Sequence, residues 1–254
     1  MIVHLVDGTY ELFRHFYGIR RFKKTDPPYG AVTGVLGTVV RMLEDGATHI
    51  GVATDHVIES FRNSLWPGYK TSQGIERVLL AQFHPLEEAL LSMGVVVWPM
   101  IELEADDALA SAAYLAAIDE RVEKVCIWTP DKDLGQCVVG ERVVQIDGRR
   151  NIIRNEDGVR EKFGVSPMLI PDYLALVGDA ADGYPGIAGC GPRTACQLLT
   201  RYGPIEDFPA DVLRDNTKLA LLFKDLATLR TDAPLFDDVE EVRWRGATPS
   251  FSAI

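Results

Sequence analysis

Cysteine is scarce in this chain: four residues in 254, Cys126, Cys137, Cys190 and Cys196, with no C-x-x-C pair among them. That spacing offers neither a zinc motif nor a thiol-redox motif, so the four read as small apolar residues of a reduced protein. Long apolar runs are missing too. None approaches the ~20 residues that a membrane span needs, and MIVHLVDG reaches Asp7 without the basic and apolar regions of a secretory signal. No membrane attachment and a cytoplasmic location are the expectation. Repeats and low-complexity segments are absent. Positive charge is short as well, with 26 Lys and Arg against 37 Asp and Glu and a formal net charge of −11. Nucleic-acid binders usually carry a basic footprint. An acidic chain argues against that class unless its carboxylates have a task of their own.

What is present is a core and a regular pattern. At 47% hydrophobic and 25% charged, the chain can bury one large domain, or one plus a subdomain. Apolar runs at 2–6, 49–54, 95–98 and 124–129, with a weaker one at 142–146, alternate with helical spacing at 31–43 and 108–118. This order predicts an α/β fold with a mainly parallel central sheet flanked by helices. Beyond about residue 155 the pattern turns helical, in NEDGVREKFG, PDYLALVGD, RTACQLLTRYG and DVLRDNTKLALLFKDLATLR. A boundary near residue 165 divides the chain into 1–165 and 166–254. RRFKKTDPPYG (20–30) is the best loop candidate.

Carboxylates follow four of these strands. The first ends in Asp7, the second in Asp55, the third leads to Glu104, Asp106 and Asp107, and the fourth to Asp131 and Asp133. Any one of them reads as a turn or cap residue. Four in one sheet are different, because the carboxyl edge of an open α/β sheet is where ligand sites form. Two carboxylates 4 Å apart repel by about 4 kcal/mol at an effective dielectric of 20. A cluster therefore needs cations, and hard oxygen donors without Cys or His suit Mg²⁺ or Mn²⁺. So many carboxylates suggest two ions. His56, beside Asp55, reads as a surface histidine rather than a ligand.

LVDG (5–8), ATD (53–55), SFR and GYK (60–62, 68–70), EADD (104–107), TPDKDL (129–134), GDAADGYPGIAGCG (178–191) and LATLRTDAPL (226–235) stand in the order and approximate spacing of the bacterial 5′ nucleases. The chain resembles that family, like the N-terminal nuclease domain of DNA polymerase I, over nearly its whole length. A stand-alone form without polymerase domains is expected. The resemblance implies a PIN-like 5′ nuclease fold with a helical arch at about 71–94 and a C-terminal helix–three-turn–helix subdomain. It implies a metal-dependent 5′–3′ exonuclease and flap endonuclease of DNA replication and repair, working with two Mg²⁺ or substituting Mn²⁺. It places Asp7, Asp55, Glu104, Asp106 and Asp107 around the first ion, and Asp131, Asp133, Asp179 and Asp182 around the second. Lys70 would meet the scissile phosphate, Tyr69 would stack on a base, and Arg14 and Arg62 would lie near the DNA 5′ end. Gly186, Gly189, Gly191 and Arg193 would grip the duplex backbone, with K⁺ at that hairpin.

The expected partners are DNA with 5′ ends, nicks or flaps, and RNA–DNA hybrids; the expected state is a monomer near the nucleoid. A non-catalytic binder of branched nucleic acid and a nuclease preferring RNA are the alternatives. Setting aside nine ligand carboxylates moves the charge from −11 to −2, and divalent ions supply the missing positive field. The chain departs from many relatives at Gln73, Ala188 and Pro192. Within 71–94 it has only Arg77 against Glu76, Glu87 and Glu88, which predicts a negatively charged arch.

Overall fold

A doubly wound sheet organises the computed structural model, which describes residues 1–22 and 27–249. Strand β1 (Ile2–Asp7) runs directly into α1 (Gly8–Phe22), and α2 (Gly30–Glu44) leads to β2 (His49–Asp55). Short helices α3 (Arg62–Leu65) and α4 (Arg77–Leu80) precede α5 (Phe83–Ser92) and β3 (Val96–Met100). Helix α6 (Ala105–Ile118) crosses to β4 (Lys124–Trp128), followed by β5 (Val143–Asp147) and β6 (Ile152–Arg154). The order is β3-β2-β1-β4-β5-β6, parallel from β1 to β5, with β6 antiparallel at the edge.

The two-residue period of the strands sorts side chains onto two faces. Val6, Ile50 and Val52 pack with Leu12, Phe16, Val35, Val39, Leu86 and Leu90 from α1, α2 and α5. On the other side Val3, Leu5, Val125 and Ile127 meet the small-residue face of α6 and the later Leu229 and Val242. A second core lies among α7 (Glu156–Phe163), α8 (Ile170–Val177), α9 (Pro192–Tyr202), α10 (Ala210–Leu213) and α11 (Thr217–Ala227). Phe223, Leu174 and Leu199 centre it, and Tyr69 reaches it from the first part of the chain.

Four local expectations change. Residues 20–22 of the expected loop belong to α1, while 23–26 lie outside the described residues. The long helix read over 211–230 is interrupted at Arg214, whose φ of 51° no right-handed helix accommodates, and α11 starts afresh to pack on α8. Of the expected arch at 71–94, only Thr71–Val78 is largely exposed. Leu79, Phe83, Leu86 and Leu90 are buried under the sheet because α5 carries an apolar face. The negative arch is likewise corrected: Glu87 is buried, accepting from Thr54 Oγ1 at 2.7 Å and pairing with His56, and Glu76 is paired with Arg20.

Gly8 lets α1 start flush against β2. A Cβ there would stand 2.8 Å from the Ala53 carbonyl oxygen, whereas one on Gly18, farther along α1, would meet nothing within 4 Å among the described residues. Gly8→Ala should therefore lower stability by about 2 kcal/mol through overpacking, and Gly18→Ala should raise it by about 0.5–1 kcal/mol. Urea denaturation of the two variants checks both signs.

Candidate metal centre and nucleic-acid interface

The strand order reverses between β1 and β4, which opens a crevice at the carboxyl edge of the sheet. Asp7 ends β1, Asp55 ends β2, Glu104 caps α6 with Asp106 and Asp107 in its first turn, and Asp131 and Asp133 follow β4. Asp179 and Asp182 come from the turn after α8. Carboxylate oxygens of Asp106, Asp131 and Asp133 lie within 4.8 Å of one another, and so do those of Asp133, Asp179 and Asp182. Asp133 belongs to both groups.

Neutral donors fix the rim. Asp7 accepts from the Tyr10 amide at 2.8 Å and Thr129 Oγ1 at 2.9 Å. Asp55 accepts from the Ala105 amide at 2.8 Å, and Glu104 from Ser60 Oγ at 2.6 Å. The Asp131 carbonyl accepts from Gln145, whose own Oε1 accepts from Arg154 at 2.7 Å. Gln145 and Arg154, buried behind the site, escape a motif search; the one signal is a glutamine inside the apolar strand RVVQI.

Burial dominates the titration of the cluster. It pushes Asp7 up to about 7 and raises Asp55 and Asp182, and it lifts Asp106 and Asp133 well above the carboxylate range with help from neighbouring acids. Two lysines oppose this charge. Lys70 Nζ lies 2.8 Å from Glu104 and 3.2 Å from Asp182. Its burial favours the neutral amine, but the facing carboxylates outweigh that and hold its pKa well above the usual value. Lys132 pairs with Asp179. Asp133 Oδ1, 3.9 Å from Lys132 Nζ, is buried with no hydrogen-bond partner among the described residues. An orphaned carboxylate oxygen in an all-oxygen donor set fits a hard divalent cation.

Other expected residues fall elsewhere. Asp107 is fully buried and forms a two-bond fork with Arg62, at 2.7 Å for each bond, while also accepting from the Glu104 and Arg230 amides. All its lone pairs are used inside the protein, so it is no metal ligand here. Arg62, 1% exposed, also donates to the Leu226 and Thr228 carbonyls. It is an internal strut rather than a DNA contact. Tyr69 is buried in the helical core with its hydroxyl 3.3 Å from Glu104, which leaves no face open to a base. Gly186 is also internal, because a Cβ there would lie 2.4 Å from the Gly178 amide nitrogen. Gly189 and Gly191 face open space, Gly189 with φ of 80°, and Arg193 is exposed in the first turn of α9. Arg14 lies on α1, ion-paired with Glu11.

Family models described as the 5′-3′ exonuclease N-terminal resolvase-like domain and the 5′-3′ exonuclease C-terminal SAM fold match residues 2–164 and 165–250. A 5′-3′ exonuclease of Buchnera aphidicola subsp. Baizongia pistaciae is 32% identical, over 90% of this chain and 81% of its own. DNA polymerase I of Pseudomonas aeruginosa is 33% identical over 94% of this chain, which spans 28% of that polymerase. Among solved structures, the bacteriophage T5 flap endonuclease in a complex with DNA and metal ions superimposes with a TM-score of 0.70 at 18% identity, covering 89% of each chain. This last likeness is one of fold.

Removing one repelling carboxylate and removing one half of a buried pair should act oppositely on the metal-free protein. In EDTA, Asp133→Asn should raise the thermal midpoint, whereas Asp107→Asn should cost about 3–5 kcal/mol by stranding Arg62. Differential scanning calorimetry separates them. The pH dependence has a definite sign. Because Asp7 holds its proton up to about pH 7 when folded and only to about 3.8 when unfolded, the folded chain binds the extra proton between those values. Stability in EDTA should rise by about 2 kcal/mol as pH falls from 7 to 5.5, and be lost as pH climbs. A flat denaturation profile over that range contradicts the assignment.

Proposed function

As this chain belongs to the 5′-3′ exonuclease family, we propose that it hydrolyses phosphodiester bonds near DNA 5′ ends, nicks and flaps during replication and repair. The observation that carries this reading is the pair of carboxylate triads sharing Asp133 at the carboxyl edge of the sheet. Asp106, Asp131 and Asp133 would hold one Mg²⁺, with Asp7, Asp55 and Glu104 close by. Asp133, Asp179 and Asp182 would hold the other, and Mn²⁺ would substitute. When bound, such a pair supplies hydroxide from water at neutral pH and stabilises the leaving 3′ oxygen.

The protein's own groups do the rest. Lys70, already among the carboxylates, is placed to hand its charge to the scissile phosphate. Thr129, Ser60 and the Ala105 amide keep the rim carboxylates in one orientation. Gly189, Gly191 and Arg193 offer an exposed turn and helix start to a duplex phosphate, with K⁺ on the turn's carbonyls. Residues 1–165 would serve as the catalytic core and 166–254 as the DNA-holding subdomain, in a cytoplasmic monomer. RNA–DNA hybrids are a second substrate class. Products would be a 5′-phosphate and a 3′-hydroxyl.

The test is cleavage of 5′-labelled flap, nicked and single-stranded DNA with Mg²⁺, Mn²⁺ or EDTA. Asp131→Asn should reduce turnover by about 10²–10³-fold, the order of one lost charge-stabilising group, while binding to branched DNA persists. Undiminished turnover in that variant would remove Asp131 from the mechanism.

A further inference from the structure

In the sequence His56 is a lone surface histidine; in the fold it has neighbours of a different kind. At the end of β2 the chain sends adjacent side chains to different places. Asp55 accepts from the Ala105 amide at the crevice, whereas His56 turns to α5 and places Nδ1 2.7 Å from Glu87 Oε2. Glu87 is 6% exposed, and its other oxygen accepts from Thr54 Oγ1 at 2.7 Å. An ionised carboxylate can only accept, so His56 Nδ1 carries the proton and Nε2 keeps its lone pair. Both oxygens of a buried acid are thereby spent on the two residues that flank Asp55.

His84, the second residue of α5, lies over the His56 ring with centroids 4.2 Å apart and planes tilted by 36°. It is exposed. Neither its ring nitrogens nor His56 Nε2 has a hydrogen-bond partner among the described residues. Stacking alone accounts for two rings in contact, but not for a buried acid spent on holding one of them. A carboxylate behind an imidazole is the arrangement that fixes the tautomer of a metal-binding histidine and raises its basicity. Imidazole donors suit zinc, copper or nickel, whereas Mg²⁺ prefers carboxylate and water, which separates this pair from the all-carboxylate triads. With Zn–N bonds of about 2.0–2.1 Å, a tetrahedral zinc holds two nitrogens about 3.3 Å apart. Rings at 4.2 Å reach that spacing through small rotations of the exposed His84. Water and the exposed Glu88, one turn on from His84, would complete the coordination.

We propose that His56 and His84 form a binding site for a divalent transition-metal ion, Zn²⁺ above all, with Glu87 as the positioning residue behind His56. The site stands apart from the carboxylate centre and does not depend on the nuclease reading. It joins the end of β2 to the first turn of α5, the two ends of the excursion that carries Arg62, Lys70 and the exposed Thr71–Val78. An ion clamped there closes the excursion at its base and restrains it. Nuclear magnetic resonance of the ring nitrogens in ¹⁵N-histidine-labelled protein tests the site, with excess Mg²⁺ present to occupy the carboxylates. Equimolar Zn²⁺ should move His56 Nε2 and one nitrogen of His84 and leave His4, His15 and His49 in place. In calorimetry His84→Gln should abolish saturable zinc binding, and Glu87→Gln should weaken it by about 10–100-fold although both histidines remain. Without zinc, Glu87→Gln should also shift the His56 tautomer away from Nδ1–H in the same spectra, a change that a packing role would not produce. Zinc should slow proteolysis within Thr71–Val78 in the wild type and not in His84→Gln, whose zinc-free thermal midpoint should match the wild type because the side chain is exposed. Unmoved His56 and His84 resonances overturn the site, and so does zinc binding of wild-type strength in His84→Gln, which would place the ion among the carboxylates. Wild-type zinc affinity in Glu87→Gln overturns the positioning role.

Discussion

Repulsion among carboxylates is the constraint on which the rest of this structure depends. Several acidic side chains are gathered at one sheet edge, and each close pair costs about 4 kcal/mol at an effective dielectric of 20. The fold holds them together by four physical means. The first turn of α6 faces Asp106 with a helix dipole of favourable sign. Neutral donors occupy the outward oxygens of Asp7, Asp55 and Glu104. Lys70 and Lys132 enter the cluster as internal cations. Raised pKa values let some of the acids keep their protons when no other cation is near. A site so arranged has its greatest electrostatic gain still available to divalent ions.

The Arg62–Asp107 pair is the counterpart that makes this tension tolerable. A fully buried ion pair is expensive to desolvate and is sustained only when every donor and acceptor is satisfied. Here Asp107 takes both forks of Arg62 and two backbone amides, while the remaining guanidinium hydrogens reach the carbonyls of Leu226 and Thr228. Three distant stretches, SFR, EADD and LATLR, are thereby locked to one another beneath the cluster. The second aspartate of EADD is spent on the scaffold so that the first can face the crevice.

The architecture was legible because apolar runs mark the five parallel strands, the fifth more weakly, and the carboxylates from Asp7 to Asp133 were legible because each follows a strand end. What was not legible has specific causes. Arg62, Asp107 and Tyr69 share motifs with residues of the cluster, and a motif does not say which of its members points inward. Gly186 and Gly189 belong to one glycine-rich run, yet one is packed against the Gly178 backbone and the other faces open space. Helix α5 reads as part of an exposed arch until its apolar stripe, Phe83, Leu86 and Leu90, is seen to face the sheet. β6 is three residues long and carries too little pattern to be read. Gln145 and Arg154 support the Asp131 loop through one side-chain bond and one to a carbonyl, interactions with no sequence period.

The two parts of the chain are joined at the place where their chemistry meets. The Lys70 amide donates to the Asp182 carbonyl at 2.9 Å, and Trp66 Nε1 donates to the Gly183 carbonyl at 3.1 Å. The loop that carries the cluster's lysine is thus stitched by backbone to the loop that carries Asp179 and Asp182. Because Asp133 comes from the sheet and those two aspartates from the helical part, the second triad exists only while the parts are docked. Trp66 also packs edge-on against Phe223 at a centroid distance of 5.2 Å, and Tyr69 is embedded in the same core. The packing that stabilises the helical part therefore also sets the spacing of the triad, so a cation binding there would strengthen the same docking that builds its site.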